Sequence, residues 1–252
     1  MPKIIFNPVS ALVSSAMVRS RLIGLTAVLV LAAIVVGGLI LVSGGSDDTE
    51  TPAQAPREPS EAQQAEQLYA GIPQQGIHLG KPTSPATLVE FADLQCPFCA
   101  QYALTAMPTI VRDYVRTGKV RYELRFRSFL GRDSVRAAGA AAYAANQDRM
   151  YQFADLFYRN QGPENSDYAD SAFIRTIASQ VQGLDPEKAV AAANDPLGQP
   201  AVRRDEMLAR HLGSTSTPDF YIRKGGRLSP LNVRGAAPED YARALDAALA
   251  QS

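Results

Sequence analysis

The chain has 252 residues, with 25 basic and 25 acidic side chains and a formal net charge of zero, long enough for one domain with a sizeable core or two small ones. Lys and Arg form no dense patch, which argues against a nucleic-acid partner. The absence of tryptophan and the presence of only two histidines leave little material for a metal site, and no repeat occurs at a solenoid period.

The first strong element is 22–42, LIGLTAVLVLAAIVVGGLILV, uncharged and almost wholly apolar. About 20 such residues span the hydrocarbon of a bilayer. Lys3, Arg19 and Arg21 precede it; Asp47, Asp48, Glu50, Glu58, Glu61 and Glu66 follow. The positive-inside rule then keeps 1–21 in the cytoplasm and puts the C-terminal bulk outside, held by a single-pass anchor in the cell membrane. The competing reading is a cleaved signal peptide, whose apolar core usually runs about 7–15 residues. AQA at 53–55 resembles a cleavage site, but Pro56 follows it and the apolar run is long. A buried core helix fits less well, because the segment has no polar face. Residues 43–72 are rich in Gly, Ser, Pro, Ala, Gln and acids, a composition that cannot bury enough surface to fold. They read as a flexible acidic linker, and ~25 such residues reach roughly 25–30 Å.

The folded domain is expected over 73–252. ATLVEFAD at 86–93 is a short apolar run suited to a buried central strand. A helix follows from Pro97, with Ala103, Met107, Ile110, Val111 and Tyr114 on one face; Pro108 should interrupt it and Gly118 end it. KVRYELRF at 119–126 alternates, with Val120, Tyr122, Leu124 and Phe126 on one face. Arg121, Glu123, Arg125 and Arg127 take the other, a solvated or helix-covered face. Strand, helix and strand make a βαβ unit. Residues 132–212 carry helical patterns at 133–147, 148–160, 168–181, 185–193 and about 199–211, a helical insert; Asp185, Pro186 and Glu187 form a good helix start. DFYIR at 219–223 is a strand, KGG at 224–226 a turn, and RLSPLNV its hairpin partner, which Pro230 confines to an edge. A last helix covers 238–249, with Tyr241, Leu245 and Ala248 on one face. His78 and His211 read as surface or packing residues, and Met107, Tyr143 and Tyr151 as core.

Cys96 and Cys99, in LQCPFCAQY, are the only cysteines. Structural zinc needs about four ligands, which two cysteines and two distant histidines do not supply. An inert staple across so short a loop stabilises little. A redox-active dithiol fits best, because a CxxC after a strand and at a helix start is the thioredoxin-like signal. At the helix N-cap Cys96 is expected to be exposed, its thiolate favoured by amides and macrodipole, with a pKa reduced from about 8.5 to roughly 3.5–7.5. Cys99, one turn on and deeper, can attack a mixed disulfide at Cys96 and release the partner. Pro97 pre-sets the first turn. Glu90, inside the apolar strand, is either an exposed edge position or a buried acid of raised pKa that moves a proton at Cys99. Thr217-Pro218, just before a strand, is either an ordinary trans turn or a cis peptide packed against the cysteines.

VEFADLQCPFC, the inserted helices and the late TPDFYI together resemble the DsbA-like thiol:disulfide oxidoreductases, which have a thioredoxin fold. The resemblance covers about 75–250. It implies an α/β thioredoxin-like fold with an all-helical insert, which the 22–42 run, read above as one transmembrane helix, precedes. It makes Cys96 the nucleophile, Cys99 the resolving thiol, Glu90 the buried acid and Pro218 the cis-proline, with Pro97, Phe98 and Thr217 beside the substrate and no cofactor beyond the redox-active disulfide. The type member carries histidine where this chain has Phe98, which offers the thiolate neither a hydrogen bond nor charge. The expected function is oxidation of thiols in exported polypeptides, with reoxidation by a membrane partner, a DsbB- or VKOR-like quinone-linked oxidase. Alternatives are a reductase or isomerase on the same scaffold, or a Cu(I) metallochaperone, for which no nearby His or Met ligand is visible.

Overall fold

The computed structural model describes residues 58–251. The segments 1–21 and 22–42 and the first part of the linker lie outside the described residues. Among the described residues no helix is long and apolar enough to cross a membrane.

Six strands form one sheet: β1 (Gln74–Gln75), β2 (His78–Leu79), β3 (Ala86–Ala92), β4 (Arg121–Phe126), β5 (Asp219–Lys224) and β6 (Arg227–Pro230), in the order β1-β2-β4-β3-β5-β6. Strands β3 and β4 are parallel, and every other pair is antiparallel. β3 therefore lies inside the sheet, flanked by β4 and β5, which rules out an edge position for Glu90. β6, with Pro230, is an edge strand, as the missing proline N–H requires.

Helix α1 spans Glu61–Tyr69 and α2 spans Pro97–Thr105. α3 (Met107–Ile110) runs on into a wide turn at Val111–Val115, closed by Arg116 N–H to Val111 O at 2.9 Å. Pro108 restarts the helix: the break falls at Ala106, and Pro108 occupies the first turn of α3, where a missing N–H costs nothing. The segment between β4 and β5 holds α4 (Arg132–Asn146), α5 (Met150–Arg159), α6 (Ser171–Ser179), α7 (Pro186–Asn194) and α8 (Pro200–His211). Asp170 and Asp185 cap α6 and α7 with their side chains. α9 (Pro238–Ala250) closes the domain.

One departure from the expected linker concerns its last part. α1 lies inside 43–72 and is folded: Ser60 and Gln63 form a reciprocal capping box, with Gln63 N–H to Ser60 Oγ at 3.3 Å and Ser60 N–H to Gln63 Oε1 at 2.8 Å. Ala65 and Tyr69, four residues apart, form its buried stripe, and the Tyr69 ring sits 5.6 Å from that of Tyr151 on α5. Strands β1 and β2 have two residues each, too short to show a period.

Candidate active site

β3 delivers the chain to the edge of the core, and the polar residues after it form the loop that carries the cysteines. The Asp93 carboxylate accepts from Gln95 N–H at 2.8 Å, Phe129 N–H at 3.2 Å and Leu130 N–H at 3.3 Å. Cys96 N–H donates to Asp93 O at 3.0 Å, which completes the turn. Gln95, fully buried, donates from Nε2 to Ser134 Oγ at 2.9 Å and accepts Asn165 N–H at 2.7 Å. Gln161 donates from Nε2 to Leu94 O at 2.7 Å and Cys96 O at 3.2 Å. The helical insert thus clamps the loop backbone.

Cys96 is the N-cap of α2, with Pro97 in the first turn. The expectation of an exposed Cys96 is corrected: it is 5% exposed, because the loop before β5 covers it. Thr217-Pro218 is a cis peptide, and the Cys96 thiol donates to Thr217 O at 3.3 Å. Phe98 instead turns outward and is 67% exposed. Cys99 is wholly buried one turn deeper, 3.5 Å from Asp93 N. Both cysteines are free thiols.

The two thiols have opposite electrostatics. The Cys99 thiol donates toward Cys96 and, with the backbone N–H groups of Cys99 and Phe98, brings the Cys96 pKa down to about 6 against the cost of burial. Burial, the bond to Cys96 and the neighbouring Glu90 push Cys99 well above the ordinary thiol value. Glu90, 3% exposed, projects from the middle of β3; burial raises its carboxyl to about 8, opposed by a hydrogen bond from the Tyr122 hydroxyl to Oε2 at 2.6 Å. At neutral pH the site therefore combines one thiolate, one thiol and one carboxylic acid, a set chemically able to exchange disulfides and to supply a proton.

Among the described residues no three His, Cys, Asp or Glu side chains are arranged to hold a metal ion. His78 lies 3.2 Å from Glu123 on the opposite face of the sheet, and His211 is exposed on α8. The sequence reading missed Asp93, Gln95 and Gln161, and placed Tyr122 only as an apolar strand position. Asp93, directly after a strand and before the cysteines, carried a usable turn signal; the two glutamines carried none, because their partners are distant in the chain.

A family model described as thioredoxin matches residues 73–236. The chain is 29% identical over 160 residues to a "Probable disulfide bond formation protein D" of Bacillus anthracis, covering 62% of this chain and 72% of that one. The fold is similar to the crystal structure of oxidised BdbD from Bacillus subtilis, with a TM-score of 0.61, 20% identity and coverage of 71% of this chain and 97% of that one. It is also similar to alpha-DsbA1 of Wolbachia pipientis, with a TM-score of 0.58, 22% identity and coverage of 73% and 95%.

Proposed function

We propose that this chain, which belongs to the thioredoxin family and is a DsbA-like thiol:disulfide oxidoreductase, oxidises the thiols of exported polypeptides from an anchored position outside the cytoplasm. The observation that carries this reading is the unequal placement of the two thiols, Cys96 at the N-cap of α2 against Thr217 and the cis peptide, and Cys99 wholly buried one turn deeper, which lowers the first pKa and raises the second.

In the oxidising half-reaction a client thiolate attacks Cys96 Sγ of the Cys96–Cys99 disulfide. Cys99 leaves as a thiolate and takes a proton from Glu90. The client's second thiolate then attacks the client sulfur of the mixed disulfide and expels Cys96 as a thiolate. Two electrons pass to the enzyme; of the two client thiol protons, one restores the Glu90 carboxyl that protonated Cys99 and one is released. Pro97, Phe98 and Thr217 border the sulfur that the client must reach, and cis-Pro218 holds the covering loop. No cofactor takes part beyond the disulfide. Reoxidation calls for a disulfide-bearing membrane partner, a DsbB- or VKOR-like quinone-linked oxidase.

A low Cys96 pKa favours the oxidising direction, because the thiolate exists only in the reduced form. Each pK unit by which the Cys96 pKa falls below the working pH is at most about 1.4 kcal/mol, or roughly 30 mV for a two-electron couple. Phe98 adds no donor, so a milder oxidant is expected than with histidine there. The extracytoplasmic setting rests on the apolar 22–42 segment and the basic residues before it, and on the persistence of disulfides outside the reducing cytoplasm.

After reduction, iodoacetamide at neutral pH should label Cys96 much faster than Cys99, and Cys99→Ser should accumulate mixed disulfides with clients. Paired denaturant unfolding adds the direction. The depressed Cys96 pKa stabilises the reduced form above the ordinary thiol pKa of about 8.5, and this is lost as pH falls through about 6. Reduced protein should therefore be at least as stable as oxidised protein at pH 8 and lose ground by pH 5; an oxidised form more stable by several kcal/mol at pH 8 would identify a reductase. For topology, protease added to intact spheroplasts should digest the domain, and carbonate-washed membranes should retain it. A soluble product beginning near residue 56 would instead show a cleaved signal.

A further inference from the structure

Glu90 is approached from every side by acids rather than cations. Within electrostatic range of it are Cys96 at the N-cap of α2, Cys99 and Tyr102 on α2, Tyr122 on β4, Tyr151 and Tyr158 on α5, Tyr69 on α1 and Tyr241 on α9. Most of the phenols are turned elsewhere. Tyr69 donates to Met107 Sδ at 3.7 Å, Tyr151 to Ile77 O at 2.8 Å and Tyr158 to Asp93 O at 3.4 Å. The hydroxyl of Tyr122 reaches Glu90 Oε2, at 2.6 Å, and it lies 3.0 Å from the Tyr102 hydroxyl.

The fold builds this chain deliberately from three elements. Leu88 pairs with Tyr122 and Glu90 with Leu124 in the β3–β4 register, so Tyr122 stands diagonally beside Glu90 on one face of the sheet. Tyr102 follows Cys99 by three residues on α2 and shares its face. Its ring is held 4.8 Å from Phe220 and 4.6 Å from Tyr241. A wholly buried phenol where a phenylalanine would pack needs a partner, and here the partner is the acid behind the resolving thiol.

We propose that Tyr122, braced by Tyr102, is a positioning residue that sets when Glu90 takes and returns the proton of Cys99. The inference rests on the reading of Glu90 as the proton group. A phenol donates more strongly to a carboxylate than to a carboxylic acid, and a second hydroxyl donating to its oxygen polarises it further. Tyr122 thereby favours the ionised form that burial opposes. In reoxidation, Cys96 forms a mixed disulfide with the oxidant, the Glu90 carboxylate takes the Cys99 proton, and the Cys99 thiolate attacks Cys96 Sγ and expels the oxidant's thiolate. Neither phenol gives up its own proton.

The test uses the full chain, reduced and mixed with enough oxidised glutathione that release of the second glutathione from Cys96 is rate-limiting, followed from pH 5 to 10. Wild type should show a rising limb near the Glu90 value of about 8. Loss of a hydrogen bond to a charged group should move the limb of Tyr122→Phe up by about one pH unit, an up to tenfold slower release at pH 7. Tyr102→Phe, a milder change, should move it the same way by less. Glu90→Gln should abolish the limb, and Tyr122→Phe on that background should shift nothing further. A merely structural tyrosine would slow release equally at all pH values. An unmoved limb in both tyrosine variants, with Glu90→Gln lacking it, overturns this proposal. A limb that survives Glu90→Gln overturns the reading of Glu90 beneath it.

Discussion

Two carboxylates stand on neighbouring strands, on opposite faces of the sheet, and behave in opposite ways. Glu90 on β3 and Glu123 on β4 are 3% and 1% exposed. In the register Glu90 lies across from Leu124 and Val89 across from Glu123. Glu90 is met by a phenol, and burial raises it to about 8. Glu123 is met by His78 Nε2 at 3.2 Å, Arg223 Nη1 at 2.6 Å and Arg125 Nε at 2.5 Å. Burial still opposes its charge, but the bonds from His78 and Arg223 and the field of Arg125 win, and its pKa falls well below the usual carboxylate range. Equal burial with unlike partners thus gives one neutral acid and one permanent anion. On the proposed reading the first serves proton movement beside Cys99. The second belongs to architecture: Arg125 also binds Asp205 and so joins β4 to α8.

Removing each charge in turn should separate the two roles by sign. Glu123→Gln leaves Arg223 without its anion and Arg125 with Asp205 alone, and breaking one partner of a buried pair typically costs about 3–5 kcal/mol. Urea unfolding at pH 7 should show that loss. A depressed carboxyl stabilises the fold above its ordinary value of 4.5, and the contribution fades as pH falls toward the folded value, so variant and wild type should converge only in acid. Glu90→Gln should do the reverse by a smaller amount. A folded pKa of about 8 against 4.5 means that wild type loses stability as pH rises from 4.5 to 8. The glutamine variant escapes this and should gain about 2–3 kcal/mol at pH 7, and nothing at pH 4. A gain for Glu123→Gln, or a loss of similar size for Glu90→Gln at pH 7, would contradict the division.

The same contrast shows what the sequence could reveal. Glu90 was legible because an acid inside an apolar run, shortly before a cysteine pair, has few innocent explanations. The cysteine motif, the helix start at Pro97 and the Thr217-Pro218 element were legible because each is a local pattern. Glu123 was only partly legible, since Arg121, Glu123, Arg125 and Arg127 alternate as a solvated or a helix-covered strand face would, and nothing local chose between the two. The cover comes from α8, whose Asp205 is far along the chain. Tyr122 was hidden by being a good core residue, and α1 by averaging: two buried side chains four residues apart vanish in a polar stretch. The cover over Cys96 comes from that same Thr217-Pro218 element, whose cis reading packs it against the cysteines; the expectation of an exposed Cys96 followed from the helix start alone and left that contact out.

The smallest expected effect sharpens the account of Glu123. Its two arginines are unequal: the Arg223 side chain is 34% exposed, whereas that of Arg125 is 11% exposed and shared with Asp205. Water and salt screen the outer pair, which lowers its worth toward that of a surface ion pair. Arg223→Met keeps the aliphatic stem over the strand and leaves Glu123 paired with Arg125, so the loss should be about 1 kcal/mol. It should shrink further in about 0.5 M salt, where the screening length is only a few ångströms. Urea midpoints of wild type and variant at low and high salt give the measurement. A loss as large as that of Glu123→Gln, and insensitive to salt, would mean that Arg223 rather than Arg125 is the cation on which the buried anion depends.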